Sequence, residues 1–259
     1  MKKTWSQRNI PTLLGLGVLV IGLVAGSLFL GQGFGAFSPR ATAQTTPKNI
    51  EITNVTDSGF TVSFITDEST IGFIKYGTSP DALKLQVGDD RDQISGTVNP
   101  HTTHYISVRE LQPKTSYYFT LGTASNSKFD NGGQPYSTTT AARTGNPGPA
   151  MTIYGTVVLS DGSQPASGAI VYADIVGVGK LSSLVKESGS WSIPLSSARV
   201  KDGSAYAKID ATTPVALFIQ GIEVSSGGGA RQAIQESEVH RRAESMGRAR
   251  GGREVPTLV

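Results

Sequence analysis

Hydrophobic and polar residues follow two different patterns along this chain. From Ile10 to Leu30 there is no charged side chain, and about 21 residues at roughly 1.5 Å rise form a helix that crosses a hydrocarbon core of about 30 Å. Lys2, Lys3 and Arg8 precede this run, and no acidic residue accompanies them. Because positive charge is retained on the cytoplasmic side of a membrane, the pattern predicts that the rest of the chain is exported.

The end of this segment leaves two alternatives for residues 1–43. Ala41 and Ala43 form the small-residue pattern that a signal peptidase accepts. The apolar run, however, is longer than the roughly 7 to 15 residues of a usual signal peptide, which favours an uncleaved anchor. We therefore expect either a single-pass protein of the cell membrane with its C-terminus outside, or a protein secreted after cleavage near Ala43.

From Asn49 onward the pattern changes to an alternation of apolar and polar residues, which is typical of strands with one buried face. Ile50 and Ile52 alternate with polar neighbours, and Phe60, Val62 and Phe64 do the same after a turn at residues 57–59. Further strands separated by turn residues follow up to residue 141. This segment, residues 47–141, is predicted to be an antiparallel β-sandwich.

The most specific motif in this segment is the sequence LQPKTSYYF at residues 111–119. Leu111 and Pro113 turn the chain between two sheets, and the hydroxyl of Tyr117 is placed to return to the backbone of that corner, which defines a tyrosine corner. With this motif, residues 49–140 resemble a fibronectin type III domain. That family usually has a tryptophan on its second strand, where this chain has Phe64.

The strand at residues 104–108 and the corner after it are also similar to the N-terminal sandwich of purple acid phosphatases. That resemblance implies a fold and no activity, because the metal ligands of the family lie in a later domain that has no counterpart in this sequence.

A second sandwich is predicted after a linker. Residues 142–150 are rich in glycine and proline, which favours a linker of limited stiffness. Alternation then resumes, and residues 151–226 are predicted to be a further antiparallel sandwich. Glycines and apolar residues stand at characteristic positions of this segment: Gly155-x-Val157, Asp161-Gly162, Pro165, Gly168-Ala169-x-Val171 and Gly189-x-Trp191-x-Ile193-Pro194. This set resembles the carboxypeptidase regulatory-like domain of bacterial surface proteins, which is a non-catalytic domain.

The composition changes again in residues 227–259, where six arginines and four glutamates accompany few large apolar residues. A helix over residues 230–246 would have only a thin apolar stripe. We expect a mobile, arginine-rich tail that is solvated or bound to an anionic wall polymer. The predicted fold is therefore all-β, with two tandem antiparallel, immunoglobulin-like β-sandwiches between an N-terminal transmembrane or signal helix and this tail.

Composition narrows the chemistry that this fold performs. There is no cysteine, which excludes disulfides, thiol catalysis and thiolate metal sites. The net charge of +3 is carried mainly by the two ends of the chain, so no nucleic-acid partner is expected.

The candidate metal ligands do not form a recognisable site. His101 and His104 are three residues apart on a predicted strand, which places them on opposite faces as edge or turn residues. Asp89, Asp90 and Asp92 lack the spacing of a calcium loop and are expected in a solvated turn. No serine lies in a nucleophile elbow. We therefore expect no cofactor, no metal and no enzymatic activity.

Three aromatic residues, Trp191, Tyr172 and Tyr206, would suit a platform for a sugar if they project outward. Trp191 and Tyr206 are the two candidates for ligand contact, although the alternation of Trp191 with Ile193 favours the core for the tryptophan.

The function predicted from these patterns is that of a non-catalytic, extracytoplasmic surface or envelope protein of a prokaryotic cell, acting as a structural, adhesion or protein-interaction module. Two alternatives remain open: carbohydrate or cell-wall polymer binding by the second sandwich, and an accessory subunit that positions a separate hydrolase. The expected partners are the membrane, through the N-terminal helix, and an envelope protein or polysaccharide.

Overall fold

The computed structural model describes residues 43–124, 128–159, 162, 164–220 and 234–243 of the 259-residue chain. Within these residues the chain forms thirteen strands and one short α-helix, which confirms the predicted all-β fold. All of them belong to one compact unit, Ala41–Val259. The apolar run at residues 10–30 lies outside the described residues, and so does Ala41 of the predicted cleavage site. Among the described residues no helix is long and apolar enough to cross a membrane.

The first sandwich consists of two antiparallel sheets. Its elements are β1 (Lys48–Thr53), β2 (Phe60–Thr70), β3 (Gly72–Gly77), β4 (Leu85–Gly88), α1 (Asp90–Ser95), β5 (His101–Val108), β6 (Ser116–Thr123) and β7 (Tyr136–Thr139). Sheet I has the order β1-β2-β5 and sheet II the order β4-β3-β6-β7.

Alternate residues of β2 form the core of this sandwich. Phe60, Val62 and Phe64 are buried together with Ile74 of β3 and Phe119 of β6. Burial of each side chain of this size contributes about 1.5 to 3 kcal/mol, so these residues stabilise the contact between the two sheets.

The second sandwich also has two sheets. Its strands are β8 (Met151–Leu159), β9 (Ile170–Asp174), β10 (Leu181–Leu184), β11 (Ser190–Pro194), β12 (Ala216–Gln220) and β13 (Ile234–Ala243). Sheet III has the order β10-β9-β12 and sheet IV the order β11-β8-β13. Val157, Val171, Trp191, Ile193 and Leu195 are buried between them.

Strand β13 corrects one part of the sequence prediction. Residues 234–243 were expected within a mobile tail, or at most in a marginal helix, and instead they pair antiparallel with β8 from Met151 to Leu159. The register shifts between Glu236 and Glu238. An open strand edge binds a second strand through main-chain groups, so the scarcity of apolar residues in this segment does not prevent pairing.

The two sandwiches are in direct contact. The face of sheet I that points away from the first core packs against the outer face of sheet III, where Tyr105, Ile170 and Tyr172 form a separate buried cluster with Leu184 at its margin. The sheets thus stack in the order II, I, III, IV. The first residue of the predicted linker is attached as well, because the N–H of Ala142 donates to the carbonyl of Gly203 at 3.0 Å.

Candidate functional site at the junction of the two sandwiches

The outward side of sheet I carries small polar residues that are fully covered. Thr61 and Ser63 alternate with the core residues of β2, and Thr103 and Tyr105 do the same on β5; all four are buried. In a lone sandwich these positions would face water. Their burial beneath sheet III makes them the contact surface between the two sandwiches, which we call the junction.

Asn54 and Ser182 form the centre of the junction. The Nδ2 of Asn54 donates to the carbonyl of Ser182 at 3.1 Å, and the N–H of Ser182 donates to Oδ1 of Asn54 at 2.9 Å. The backbone N–H of Asn54 also donates to the carbonyl of Lys180 at 3.0 Å. Asn54 has a positive φ of 52°, a conformation that asparagine tolerates better than most residues. Its side chain therefore continues the hydrogen bonding of β10.

Two buried tyrosine hydroxyls extend this network. Tyr105 Oη accepts from Asn54 Nδ2 at 2.9 Å and donates to the carbonyl of Ser182 at 3.0 Å. Tyr172 Oη lies 2.9 Å from Ser63 Oγ and donates to Oε1 of Gln220 at 2.9 Å. Burial raises the pKa of Tyr105 and raises that of Tyr172 to about 12. Both phenols are therefore neutral donors at any physiological pH.

Ion pairs lie at the margins of the junction. Lys180 Nζ is 2.9 Å from Glu51 Oε1. Arg199, which is buried, lies 3.3 Å from Oδ1 of Asp57 in the first sandwich and donates to the carbonyl of Ala142 at 3.0 Å. Arg199 thus connects a turn of the first sandwich, the start of the linker and the second sandwich.

The residues of the predicted tyrosine corner lie together in the first sandwich. Tyr117 Oη accepts a hydrogen bond from the N–H of Gln112 at 3.0 Å. Leu111 is buried in the core beside Tyr117, and the carbonyl of Pro113 accepts from Thr115 Oγ1 at 3.0 Å. This arrangement links the two sheets at the corner and exposes no reactive group.

The two candidate ligand contacts lie in different environments. Trp191 is 2% exposed in the second core, so its ring is not available to a ligand. Tyr206 is half-buried, and the guanidinium carbon of Arg199 lies 3.7 Å from its ring centroid. Tyr206 lines a surface cleft of about 440 Å³ beside Asn146 and Lys208. Trp191 therefore lies in the core and does not project outward.

The acidic loop is not the solvated turn that the sequence predicts. Asp89 is completely buried and accepts hydrogen bonds from the N–H of Tyr105 at 3.0 Å and from Arg91 Nε at 2.8 Å. Asp90 accepts from the N–H of Ser107 at 2.8 Å. The two carboxylates occupy the open edge of β5 as a neighbouring strand would. Burial acts to raise the pKa of Asp89, but the hydrogen bonds and charge of Arg91 outweigh it and hold that pKa below its usual value.

His104 is not the edge or turn residue that the sequence predicts. It is fully buried and stacked on Phe64 with ring centroids 4.5 Å apart. Burial lowers the pKa of His104 to about 4, so the ring is neutral. His101 faces Asp92, with 3.7 Å between Nε2 and Oδ1. Among the described residues no three histidine or carboxylate side chains are grouped to hold a metal ion.

The junction is the feature that sequence reasoning missed. One clue was present: the outward positions of β2 and β5 carry threonine, serine and tyrosine, with no charged residue among Thr61, Ser63, Thr103 and Tyr105. A water-facing strand usually carries charged side chains, so an uncharged, hydroxyl-bearing face indicates a covered one.

Comparison with known proteins agrees with the fold of the first sandwich. Residues 47–144 match the family model of the purple acid phosphatase N-terminal domain, which confirms the similarity to that sandwich. A search among curated proteins found no match. The fibronectin type III and carboxypeptidase regulatory-like resemblances stay predictions.

One solved structure with detectable similarity is the chitinase ChiA74 from Bacillus thuringiensis. It shares 15% sequence identity over 66% of this chain and 28% of its own length, with a TM-score of 0.24. This chain therefore spans about 28% of the length of that enzyme.

Proposed function

We propose that this chain is a non-catalytic envelope or surface protein whose two sandwiches act as one rigid spacer that presents loops and sheet edges to a partner. The observation that carries the proposal is the pairing of the half-buried Asn54 with the buried Ser182 through two hydrogen bonds across the junction. The location outside the cytoplasm rests on the charge and hydropathy pattern of residues 1–43.

The chemistry of the junction explains why it is rigid. Domains of one chain usually move relative to each other unless their interface is large and apolar. Here Asn54 and Tyr105 hydrogen-bond to Ser182, and Tyr172 lies 2.9 Å from Ser63 Oγ, in only one relative orientation of the sheets. A rotation would break these bonds between the sandwiches, at a cost of about 1 to 3 kcal/mol for each buried group that loses its only partner. The junction therefore selects a single orientation.

A non-catalytic role agrees with the inventory of polar groups in the described residues. The buried charged groups Asp89 and Arg199 are paired with neighbouring residues, and His104 is enclosed in the core. The two ring nitrogens of His104 have no hydrogen-bond partner among the described residues, but the ring is fully buried and therefore closed to a substrate.

Spin labels test the rigidity directly. The chain has no cysteine, so Asp81→Cys in the first sandwich and Glu187→Cys in the second provide two unique and exposed labelling sites. In the full-length chain we expect one narrow distance distribution between the labels. A broad distribution would contradict the spacer, and turnover of a phosphoester, peptide or glycan above a buffer blank would contradict the non-catalytic role.

Envelope polysaccharide binding remains a second candidate, because Tyr206 lines an open cleft of about 440 Å³. Saturable retention of the chain on envelope polysaccharide, reduced by Tyr206→Ala, would support it. Equal retention of the folded variant would count against this cleft.

A further inference from the structure

A second cleft, of about 520 Å³, opens at the margin of the junction. One wall is β1 of the first sandwich, with Asn49 and Glu51, and the other is formed by β9 and β12 of the second. We call it the junction cleft. A molecule bound there would contact both sandwiches at once.

The apolar surface of the junction cleft is an exposed aromatic ring. Phe218 of β12 is 63% exposed, and its ring centroid lies 6.2 Å from that of Tyr172 on the neighbouring strand. The two residues are opposite each other in the pairing of β12 with β9. Phe218 thus has an adjacent aromatic support and an open face, which suits a flat apolar surface of a ligand.

The charges in the junction cleft favour a neutral ligand. Lys180 is neutralised by Glu51 at 2.9 Å. Asp174 also lines the cleft and forms no ion pair with another described residue. The remaining charge is negative, so phosphate, sulfate and uronate groups would be repelled.

The inner end of the junction cleft contains a polar side chain with spare hydrogen-bonding capacity. Gln220 is buried, and its Oε1 accepts from Tyr172 Oη. Its Nε2 has no acceptor among the described residues. A buried amide donor is costly to leave unpaired. Because Nε2 has almost no exposed surface, a ligand hydroxyl oxygen would accept from it only after the side chain turns toward the cleft.

We infer that the junction cleft binds a ring of a neutral carbohydrate. The apolar face of the sugar lies on Phe218. The carboxylate of Asp174 accepts hydrogen bonds from its hydroxyl groups, and the side-chain amide of Asn49 donates to them. A purely apolar ligand would leave these polar groups dehydrated without partners, and an anionic ligand would meet the charge of Asp174. This site differs from the Tyr206 cleft and does not depend on the spacer role.

The test uses the full-length chain in a detergent without a sugar headgroup. Isothermal titration measures binding of four neutral probes, cellotetraose, maltotetraose, mannotetraose and N-acetylchitotetraose, and of anionic tetragalacturonate. We expect saturable binding of at least one neutral probe, weak or no binding of tetragalacturonate, and a loss of about tenfold in affinity in Phe218→Ser, because one aromatic contact contributes about 1.4 kcal/mol.

Two variants make the result specific to the junction cleft. Leu85→Ser removes a comparable apolar side chain that is 54% exposed on β4 and should bind as the unaltered chain does. Tyr206→Ala alters the other cleft and shows whether binding occurs there instead. The inference is overturned if no neutral probe binds at millimolar concentration, if tetragalacturonate binds equally well, or if Tyr206→Ala weakens binding and Phe218→Ser does not. In the last case the second candidate function would stand, and the spin-label distance would still report separately on the spacer.

Discussion

The side-chain amide of Asn54 pairs with the main chain of Ser182 through two hydrogen bonds, of 3.1 Å and 2.9 Å, in the way that a neighbouring strand would. The two residues are 128 positions apart and belong to different sandwiches. Since both groups of the amide are used, rotation of one sandwich against the other breaks both bonds together. This pair therefore acts on the orientation of the domains and not only on their stability.

Replacing Asn54 with glycine is expected to loosen the junction. Glycine keeps the positive φ of 52° without strain, so the change isolates the lost side-chain bonds. With labels at positions 81 and 187, the narrow distance distribution should become broad, and the free energy of unfolding should fall by about 1 to 3 kcal/mol because Ser182 loses its partner.

Asn49→Gly is the matched control for this variant. Asn49, on β1, is a second asparagine with a positive φ, of 49°, and it is exposed. The Asn49→Gly variant should leave the distance distribution between the two labels unchanged. Equal broadening in both variants would show that backbone flexibility, and not the pairing with Ser182, determines the orientation.

The tyrosine corner gives a second prediction, for the first sandwich alone. Tyr117→Phe leaves the N–H of Gln112 without its acceptor, and the free energy of unfolding should fall by about 1 kcal/mol. The measurement is denaturant unfolding, compared with Tyr118→Phe, which alters a half-buried tyrosine with no such bond to the corner. Equal midpoints in the two variants would contradict a stabilising role of the corner.

The residues that face the core of the first sandwich were predictable from the sequence. The surroundings of the residues that face away from this core were not. The alternation of Phe60, Val62 and Phe64 identifies the core face, since a buried face needs apolar side chains. Whether Ser63 faces water depends on Tyr172, which lies 109 residues further along the chain. The local pattern gives only the uncharged character of this face, and it does not identify the residue that covers it.

Two other differences have local physical causes. Asp89 appears in an acidic run that is typical of a solvated turn, yet Arg91 and the open edge of β5 provide enough donors to bury it. Strand β13 has no strong strand pattern, and it pairs through main-chain groups that are the same in every residue. In both cases hydrogen bonding to the backbone outweighed side-chain hydropathy.

A third prediction concerns acid stability and His104. Its pKa is lowered from 6.5 to about 4 by burial in the folded chain, so below about pH 6.5 the unfolded chain binds a proton that the folded chain does not. Stability is therefore fully present above pH 6.5 and is lost progressively as pH falls toward 4. Between pH 7.5 and pH 5 the loss should be about 2 kcal/mol, at 1.36 kcal/mol for each unit of pKa.

His104→Gln should remove this part of the pH dependence. The groups around His104 act differently: His101 also has a pKa lowered by burial and adds to the loss in the same range, whereas Asp89 loses its contribution only below its usual pKa. Denaturant unfolding at pH 7.5, 6.5, 5.5 and 5 should give a shallower curve for the variant. Parallel curves would mean that folding does not shift the pKa of His104.

The fourth prediction tests how tightly His104 is enclosed. Gly72 lies against its ring, and a β-carbon at residue 72 would be 2.1 Å from His104 Nδ1 and 2.6 Å from its Cγ. Because the ring is also stacked on Phe64, it has little room to withdraw. Gly72→Ala should therefore lower the free energy of unfolding by about 1 to 3 kcal/mol through overpacking.

Gly88→Ala, on β4, has no atom within 4 Å of the added carbon and should change stability by no more than about 0.5 kcal/mol. If crowding against the ring is the cause, Gly72→Ala should cost less in a His104→Ala background than in the unaltered chain, since the smaller side chain leaves space for the new methyl group. Additive effects in the double variant would place the strain in the backbone of β3 and not against His104.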